Sequence, residues 1–249
     1  NSSNSSYTMV FDFSLGSSNA GSTCDLGPGS GGENIVIDPV KNVGYIAQVG
    51  SVNIKIYNFA TGQFQPDLTV TSETGYIASV SLSPDYQFLY ATGRDALYKI
   101  AVSTNTIVAT LTLPGQAGLN NNLWGIAISS NSRVYFSARW NPIVPSTVNP
   151  SIWFTDTNLG TPTLAYTPPA GFYIRGITFN TDGTMWATAA ASTPNTPDRL
   201  LQLSVNGDGT LNLLASYNFP QNNTEPFGIA VGPDGNLYLV TFYGACVYQ

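Results

Sequence analysis

Residues 226–240 read PFGIAVGPDGNLYLV, and this stretch is the clearest indication of the fold. It contains an apolar run, a Pro-Asp-Gly-Asn turn and a second apolar run. Two apolar runs joined by a short turn that contains glycine predict an antiparallel β-hairpin. Weaker copies of the same pattern occur upstream, so the chain is built from repeats.

The copies begin at nearly even intervals, at residues 33, 78, 124, 175 and 227, which are 45 to 52 residues apart. A period of this length is typical of four-stranded propeller blades. We therefore predict an all-β, five-bladed β-propeller with four-stranded antiparallel blades. The predicted blades cover about residues 33–74, 78–115, 124–168, 175–219 and 227–249.

Aspartates recur at the first turn of the blades, at Asp38, Asp85, Asp182 and Asp234. Aspartate is common in turns because its carboxylate accepts a hydrogen bond from a backbone N–H two residues further on. We predict that these four residues form turns. Residues 206–209 (NGDG) also predict a hairpin turn, because the other acidic positions of a calcium loop are missing.

The two ends of the chain are predicted to share one blade. After Phe227 there is room for three strands, and the strand candidate at residues 7–13 (YTMVFDF) can supply the fourth, outer strand. This pairing would close the ring and remove open sheet edges. We expect residues 1–6 to be a disordered stub and residues 1–249 to form a single domain.

The two cysteines, Cys24 and Cys246, would both lie close to this closing blade. Two free buried thiols are one interpretation. A disulfide is favoured because few residues are charged and Asn-x-Ser/Thr sequons occur at Asn1, Asn4 and Asn222. We predict a Cys24–Cys246 disulfide and glycosylation at the three asparagines.

Charge and hydropathy narrow the choice of partners and location. Only 9% of the 249 residues are charged, and the net charge is −6. The 8 basic residues form no cluster, so we expect no nucleic-acid partner. No apolar run approaches the roughly 20 residues of a membrane span. A surface with few ions is more typical of secreted proteins, so we expect an extracellular protein.

The chain contains no histidine. This excludes Ser-His-Asp and Cys-His nucleophilic catalysis, histidine acid–base catalysis and zinc or copper bound by histidine. An enzyme built on this sequence would have to use carboxylates, Tyr, Lys, Arg or a hard metal bound by oxygen. We predict no catalytic residue and no cofactor.

The motif at residues 226–240 resembles NHL-type and gluconolactonase-like (senescence-marker) propellers, and the likeness covers the repeat register over about residues 30–240. The gluconolactonase-like family holds a divalent metal in the central channel through a Glu of the first blade and Asn or Asp residues of later blades. Glu33 matches the first of these ligands. The later positions carry Ala78-Ser79, Trp124-Gly125, Arg175-Gly176 and Phe227-Gly228 instead. A full metal site is therefore not expected.

A ligand site is predicted on the face where the first strand of each blade begins, because the longer loops, near residues 139–151 and 190–199, share that face. Aromatic side chains there, beside a few polar groups, are typical of a sugar or small-molecule site. The predicted ligand-binding residues are Glu33, Trp124, Trp140, Tyr173, Arg175, Glu225 and Phe227. Alternatively, Trp124 and Phe227 only fill the channel, and Arg175 and Glu33 form an ion pair.

These observations favour a secreted, non-enzymatic protein that binds a glycan or a small molecule. One alternative is a metal-dependent, lactonase-like hydrolase, with Glu33 as ligand or base and Arg175 polarising a carbonyl. The other is a structural component of a cell wall, surface layer or filament, whose partner would be further copies of the same chain.

Overall fold

The structure is a computed structural model. It describes residues 8–11, 22–25, 31–73, 75–113, 123–140, 148–193, 195–222, 225–232, 234–241 and 247–248. Only the backbone is described for residues 8–11, 22–25, 31–33, 49, 139–140, 148–149, 220–222 and 247–248.

The described chain is all β. Strands β1 (Thr8–Phe11) and β2 (Ser22–Asp25) pair with one another, and five further antiparallel sheets follow in chain order. The first sheet contains β3 (Gly31–Asp38), β4 (Val43–Val49), β5 (Asn53–Asn58) and β6 (Gln63–Thr69). The second contains β7 (Ile77–Leu82), β8 (Phe88–Gly93), β9 (Ala96–Ala101) and β10 (Thr106–Thr112).

The remaining three sheets repeat this meander. The third sheet contains β11 (Leu123–Ile128), β12 (Arg133–Trp140), β13 (Val148–Asp156) and β14 (Thr163–Tyr166). The fourth contains β15 (Phe172–Phe179), β16 (Met185–Ala191), β17 (Pro197–Val205) and β18 (Leu211–Asn222). The fifth contains β19 (Pro226–Val231), β20 (Leu237–Thr241) and β21 (Val247–Tyr248). The predicted all-β class is confirmed, and four of these five sheets have the predicted four antiparallel strands, while three strands of the fifth are described.

The first strand of each sheet lies at the centre of the molecule, and we refer to β3, β7, β11, β15 and β19 as the inner strands. Each inner strand contacts the inner strand of the next sheet, and β19 of the fifth sheet also contacts β3 of the first. The strands of each sheet then follow outward in chain order. The inner strands therefore lie next to one another in chain order.

Apolar side chains packed between neighbouring sheets form the core. Ile54 of the first sheet and Ile77 and Leu89 of the second are fully buried in one cluster. Similar clusters join the second sheet to the third, the third to the fourth and the fourth to the fifth. Burying one such side chain stabilises the fold by about 1.5–3 kcal/mol. The outer strand β10 is much less buried, and every second residue of it faces solvent.

The predicted closure by the N-terminal strand is wrong for the strands that the structure describes. β1 pairs with β2, with Thr8 opposite Asp25, and the fifth sheet is built from β19, β20 and β21. A hairpin between neighbouring segments satisfies the same backbone groups as a pairing between opposite ends of the chain. It also costs less loop-closure entropy.

Within the described part of the chain, no helix could cross a lipid bilayer.

Candidate functional site

One pocket lies where the inner strands meet, and inner strands of all five sheets contribute to it. We call it the entrance-face pocket, after the face at which these strands begin. Its volume is only about 20 Å³, roughly the room needed by one water molecule. A ligand would therefore bind at its mouth. The lining residues are Asn34, Ala78, Ser79, Trp124, Gly125, Arg175, Gly176, Ile177, Phe227, Gly228 and Ile229.

Arg175 lies at the centre of an aromatic cluster in this pocket. Its guanidinium carbon is 3.8 Å from the ring centroid of Trp124, 4.4 Å from that of Phe227 and 5.0 Å from that of Tyr173. The Trp124 and Tyr173 rings are themselves 5.5 Å apart. All four side chains are partly exposed. Because cations are attracted to ring faces, the rings hold the guanidinium in place.

The charge of Arg175 is only loosely compensated. Its Nη2 atom is 3.8 Å from Oε2 of Glu225, which is an ion pair but too long for a hydrogen bond. Its Nε atom is buried and has no hydrogen-bond partner. The Arg175 side chain is 13% exposed and that of Glu225 is 34% exposed. The guanidinium therefore has hydrogen-bonding capacity that the described residues leave unused.

Asp198, at the start of β17, fixes the backbone of Glu225. This aspartate is buried, and it accepts hydrogen bonds from the backbone N–H of Glu225 at 2.9 Å and of Ala191 at 2.7 Å. Glu225 has a φ of 42°, in the left-handed region that residues other than glycine rarely adopt. Asp198 thus ties the segment before β19 to the end of β16.

Replacing Asp198 with asparagine should destabilise the protein by about 2 kcal/mol, because hydrogen bonds to a buried charged group are strong and an amide N–H₂ cannot accept them. For a chain of this size we expect Tm to fall by about 4–8 °C in a thermal scan. Asp182→Asn is the matched control: its carboxylate also accepts a backbone N–H, from Thr184 at 2.8 Å, but on an exposed turn. Equal Tm values for the two variants would contradict the role of Asp198.

Hydroxyl groups on the second strand of three sheets position the backbone of the inner strands. Thr92 Oγ1 of β8 donates to the carbonyl of Trp124 at 2.8 Å, and Ser137 Oγ of β12 donates to the carbonyl of Arg175 at 3.2 Å. Thr188 of β16 accepts a hydrogen bond from the N–H of Gly176 at 2.8 Å. All three hydroxyl residues are buried. The bonds of Thr92 and Ser137 link neighbouring sheets, and the Thr188 bond joins two strands of the fourth sheet. Together they fix strands that carry the aromatic cluster.

Sequence reasoning missed these positioning residues and Asp198. A hydroxyl residue at the same place in three apolar second strands is a signal that a comparison of the repeats could have found. Asp198 gave no such signal, because an acidic residue in a polar loop also fits an exposed position. Only its buried contacts distinguish it.

The structure brings together five of the predicted site residues: Trp124, Tyr173, Arg175, Glu225 and Phe227. Trp124 and Phe227 line the entrance-face pocket and contact Arg175. The described partner of Arg175 is Glu225, and the Glu33 side chain lies outside the described residues. So do the remaining predicted groups: the Trp140 side chain, the Cys24 side chain, Cys246, Asn1, Asn4 and the Asn222 side chain.

Among the described residues, no group of three or more His, Cys, Asp and Glu side chains is arranged to hold a metal ion. The pocket lining explains this locally, because its one ionisable residue is the cation Arg175.

Comparison with known proteins identifies the fold but no family. No protein-family model matches the sequence, and a search of curated proteins finds no relative. Among solved structures, a streptogramin B lyase is 19% identical over 98% of this chain and 73% of that chain, with a TM-score of 0.61. A chain of a nidogen–laminin complex is 16% identical over 88% of this chain and 76% of that chain, with a TM-score of 0.64.

A third similar structure is the β-propeller domain of Cps50 (Swd1) from Myceliophteria thermophila. It is 10% identical over 84% of this chain and 62% of that chain, with a TM-score of 0.59. At identities this low the likeness carries the fold alone, so the resemblance to NHL-type and gluconolactonase-like propellers stays a prediction. The sheet order and these neighbours together establish that the chain has a β-propeller fold.

Proposed function

We propose that this chain is a non-enzymatic protein that binds a glycan at the entrance-face pocket. The observation that carries the proposal is the partly exposed aromatic cluster around Arg175 at the meeting point of the inner strands. Trp124 and Tyr173 supply apolar ring surface, and Arg175 supplies hydrogen-bond donors. A few polar groups among aromatic rings are what a small-ligand site needs to fix orientation.

The chemistry of a sugar suits this arrangement. A pyranose has an apolar C–H face that can lie on an indole or phenol ring, and hydroxyl groups at its edge that accept hydrogen bonds. The small enclosed volume favours contact with one sugar unit at the mouth over capture of a whole molecule inside. Neither the ring contact nor the hydrogen bonds to the sugar hydroxyl groups need a histidine or a metal.

We further propose that the propeller has five blades, one for each of the five sheets. The contact of β19 with β3 supports this count, because a ring of five blades would bring the fifth sheet next to the first. The extracellular location, the Cys24–Cys246 disulfide and the glycosylation at Asn1, Asn4 and Asn222 are proposals from the sequence. The low fraction of charged residues, 9%, supports them.

A glycan array tests the binding proposal, with wild-type protein beside Trp124→Ala. We expect wild-type binding to one class of glycan and a loss of roughly tenfold or more in the variant, because one ring contact is worth about 1.4 kcal/mol. Tyr217→Ala is the matched control: it removes an aromatic ring that is 51% exposed on the outer strand β18. This variant should bind as wild type does.

The same experiments distinguish the two alternative functions, a structural component and a lactonase-like hydrolase. A blank array would overturn the glycan proposal, and self-association of the purified protein would then favour a structural role. Hydrolysis of a lactone by the metal-loaded protein would favour the hydrolase. The likeness to a lyase and to a chain of a nidogen–laminin complex is fold analogy, which is compatible with either class of function.

A further inference from the structure

Three aromatic rings lie close to the guanidinium of Arg175. Trp124 and Phe227 lie within cation–π distance of the guanidinium, at 3.8 and 4.4 Å. Ring stacking engages the flat face of a guanidinium, whereas its N–H donors point outward in the plane. Contacts with ring faces therefore hold the guanidinium without using its hydrogen-bond donors.

The described residues leave these donors poorly satisfied. Among them, the buried Nε finds no partner, and the ion pair with Glu225 spans 3.8 Å. A partly desolvated cation without hydrogen bonds is unfavourable, and two parallel bonds to one carboxylate are the strongest way to satisfy a guanidinium. A neutral hydroxyl group satisfies it less well. The geometry favours an anionic ligand group.

Glu225 occupies the region that such a group would take. Its backbone is held by Asp198 at 2.9 Å, but its side chain is 34% exposed, and its contact among the described residues is the long ion pair with Arg175. The carboxylate can therefore turn toward solvent while the backbone stays in place. A ligand that replaces it gains the hydrogen bonds that Glu225 does not make.

We infer that the ligand of the entrance-face pocket carries a carboxylate, as in a glycan that contains a uronic acid, and that Arg175 binds this group while Glu225 competes for the same position. The inference rests on the proposed function. It also accounts for how an acidic protein could bind one anionic ligand and not anions in general. With a net charge of −6 the chain repels anions in general, and Arg175 is the cation among the described residues that line the pocket.

A purely structural ion pair predicts a different pattern of effects. If Arg175 and Glu225 only held the sheets together, neutralising either one would lower Tm, and neither change would alter the choice between ligands. If they compete for a ligand carboxylate, the two neutralising substitutions act in opposite directions on binding. The two variants therefore distinguish the two roles.

The test compares uronic-acid oligosaccharides with their methyl esters, which keep the sugar ring and lose the charge. Each acid is placed beside its ester on the array, and the best pair is titrated by calorimetry. We expect wild type to bind the acid about tenfold more tightly than the ester. Arg175→Gln should remove this preference, and Glu225→Gln should tighten binding of the acid severalfold while leaving the ester unchanged. Thermal unfolding of each variant controls for folding.

Each remaining outcome counts against a specific statement. Equal binding of acid and ester by wild type, lost in Trp124→Ala, would overturn the carboxylate inference and leave the glycan-binding function in place. Weaker binding of the acid by Glu225→Gln would overturn the competition. A blank array for acids, esters and neutral glycans would overturn both the inference and the proposed function.

Discussion

Replacing Gly176 with alanine is expected to destabilise the protein by about 3 kcal/mol, the upper end of the range for overpacked cores. A Cβ atom at this position would lie 2.4 Å from the carbonyl oxygen of Phe227 and 3.0 Å from Cγ2 of Ile229. The first of these is a backbone atom of the neighbouring inner strand. It cannot rotate away, so the fourth and fifth sheets would have to separate.

The measurement is urea unfolding of Gly176→Ala beside Gly207→Ala. Gly207 is the matched control because a Cβ atom there would meet nothing within 4 Å. We expect its free energy of unfolding to stay within about 0.5 kcal/mol of wild type or to rise slightly, since alanine restricts the unfolded chain. If the two variants unfolded at the same urea concentration, the close approach of β15 and β19 would not be a constraint on the sequence.

The second large effect is a loss of stability at alkaline pH. Burial raises the pKa of Tyr45, Tyr90 and Tyr98 from 10.0 to about 12, and nearby carboxylates, Asp38 and Glu73 among them, add to the shift. A tyrosine whose pKa is raised by folding keeps its proton longer in the folded state. The stabilisation is therefore complete below pH 10, where both states are protonated. It is lost as the pH rises from 10 toward 12, where the unfolded chain ionises first.

Each of these tyrosines should lower the free energy of unfolding by about 1.4 kcal/mol per pH unit in that window. Three together approach the whole stability of a typical domain within two pH units. We expect cooperative unfolding between pH 10 and 12. Urea titrations at a series of pH values measure the loss of stability, and tyrosinate absorbance measures the ionisation.

Tyr45→Phe tests whether the buried tyrosines cause this loss of stability. The substitution removes one titrating group and should reduce the slope of the free energy of unfolding against pH by about a third. A slope that is unchanged in this variant, or a protein that is equally stable at pH 9 and about pH 12, would contradict it. Tyr90 and Tyr98 are less suitable for substitution, because their hydroxyl groups donate hydrogen bonds to the carbonyl of Thr157 and to the carboxylate of Glu73.

Local chemistry predicted the turns well. In Asp38, Asp85, Asp182 and Asp234, Oδ1 accepts the N–H of the residue two positions further on, at 2.8 to 3.1 Å. Asp208 does the same with Thr210, which confirms a turn at residues 206–209. These predictions succeeded because an aspartate turn involves only neighbours in the sequence and needs no tertiary contact.

The candidate site was predicted in part. Trp124, Arg175 and Phe227 stand at the same register position of successive repeats, so placing them together required only the repeat and the propeller. The pairing of Arg175 with Glu225 and the support from Asp198 were not predictable in the same way. Both depend on how loops outside the repeat register fold back, which a period of about fifty residues does not specify.

The sequence by itself determined the class of fold and the chemistry that the protein cannot use. Alternating apolar runs, aspartate turns and an even repeat specify antiparallel sheets arranged in a propeller, and the absence of histidine excludes whole classes of catalysis. Only the tertiary structure decided which strand β1 pairs with, which carboxylate faces Arg175 and why Gly176 must be glycine. The physical reason is range: turns and strand patterns arise from neighbours along the chain, whereas these three features arise from groups that only packing brings together.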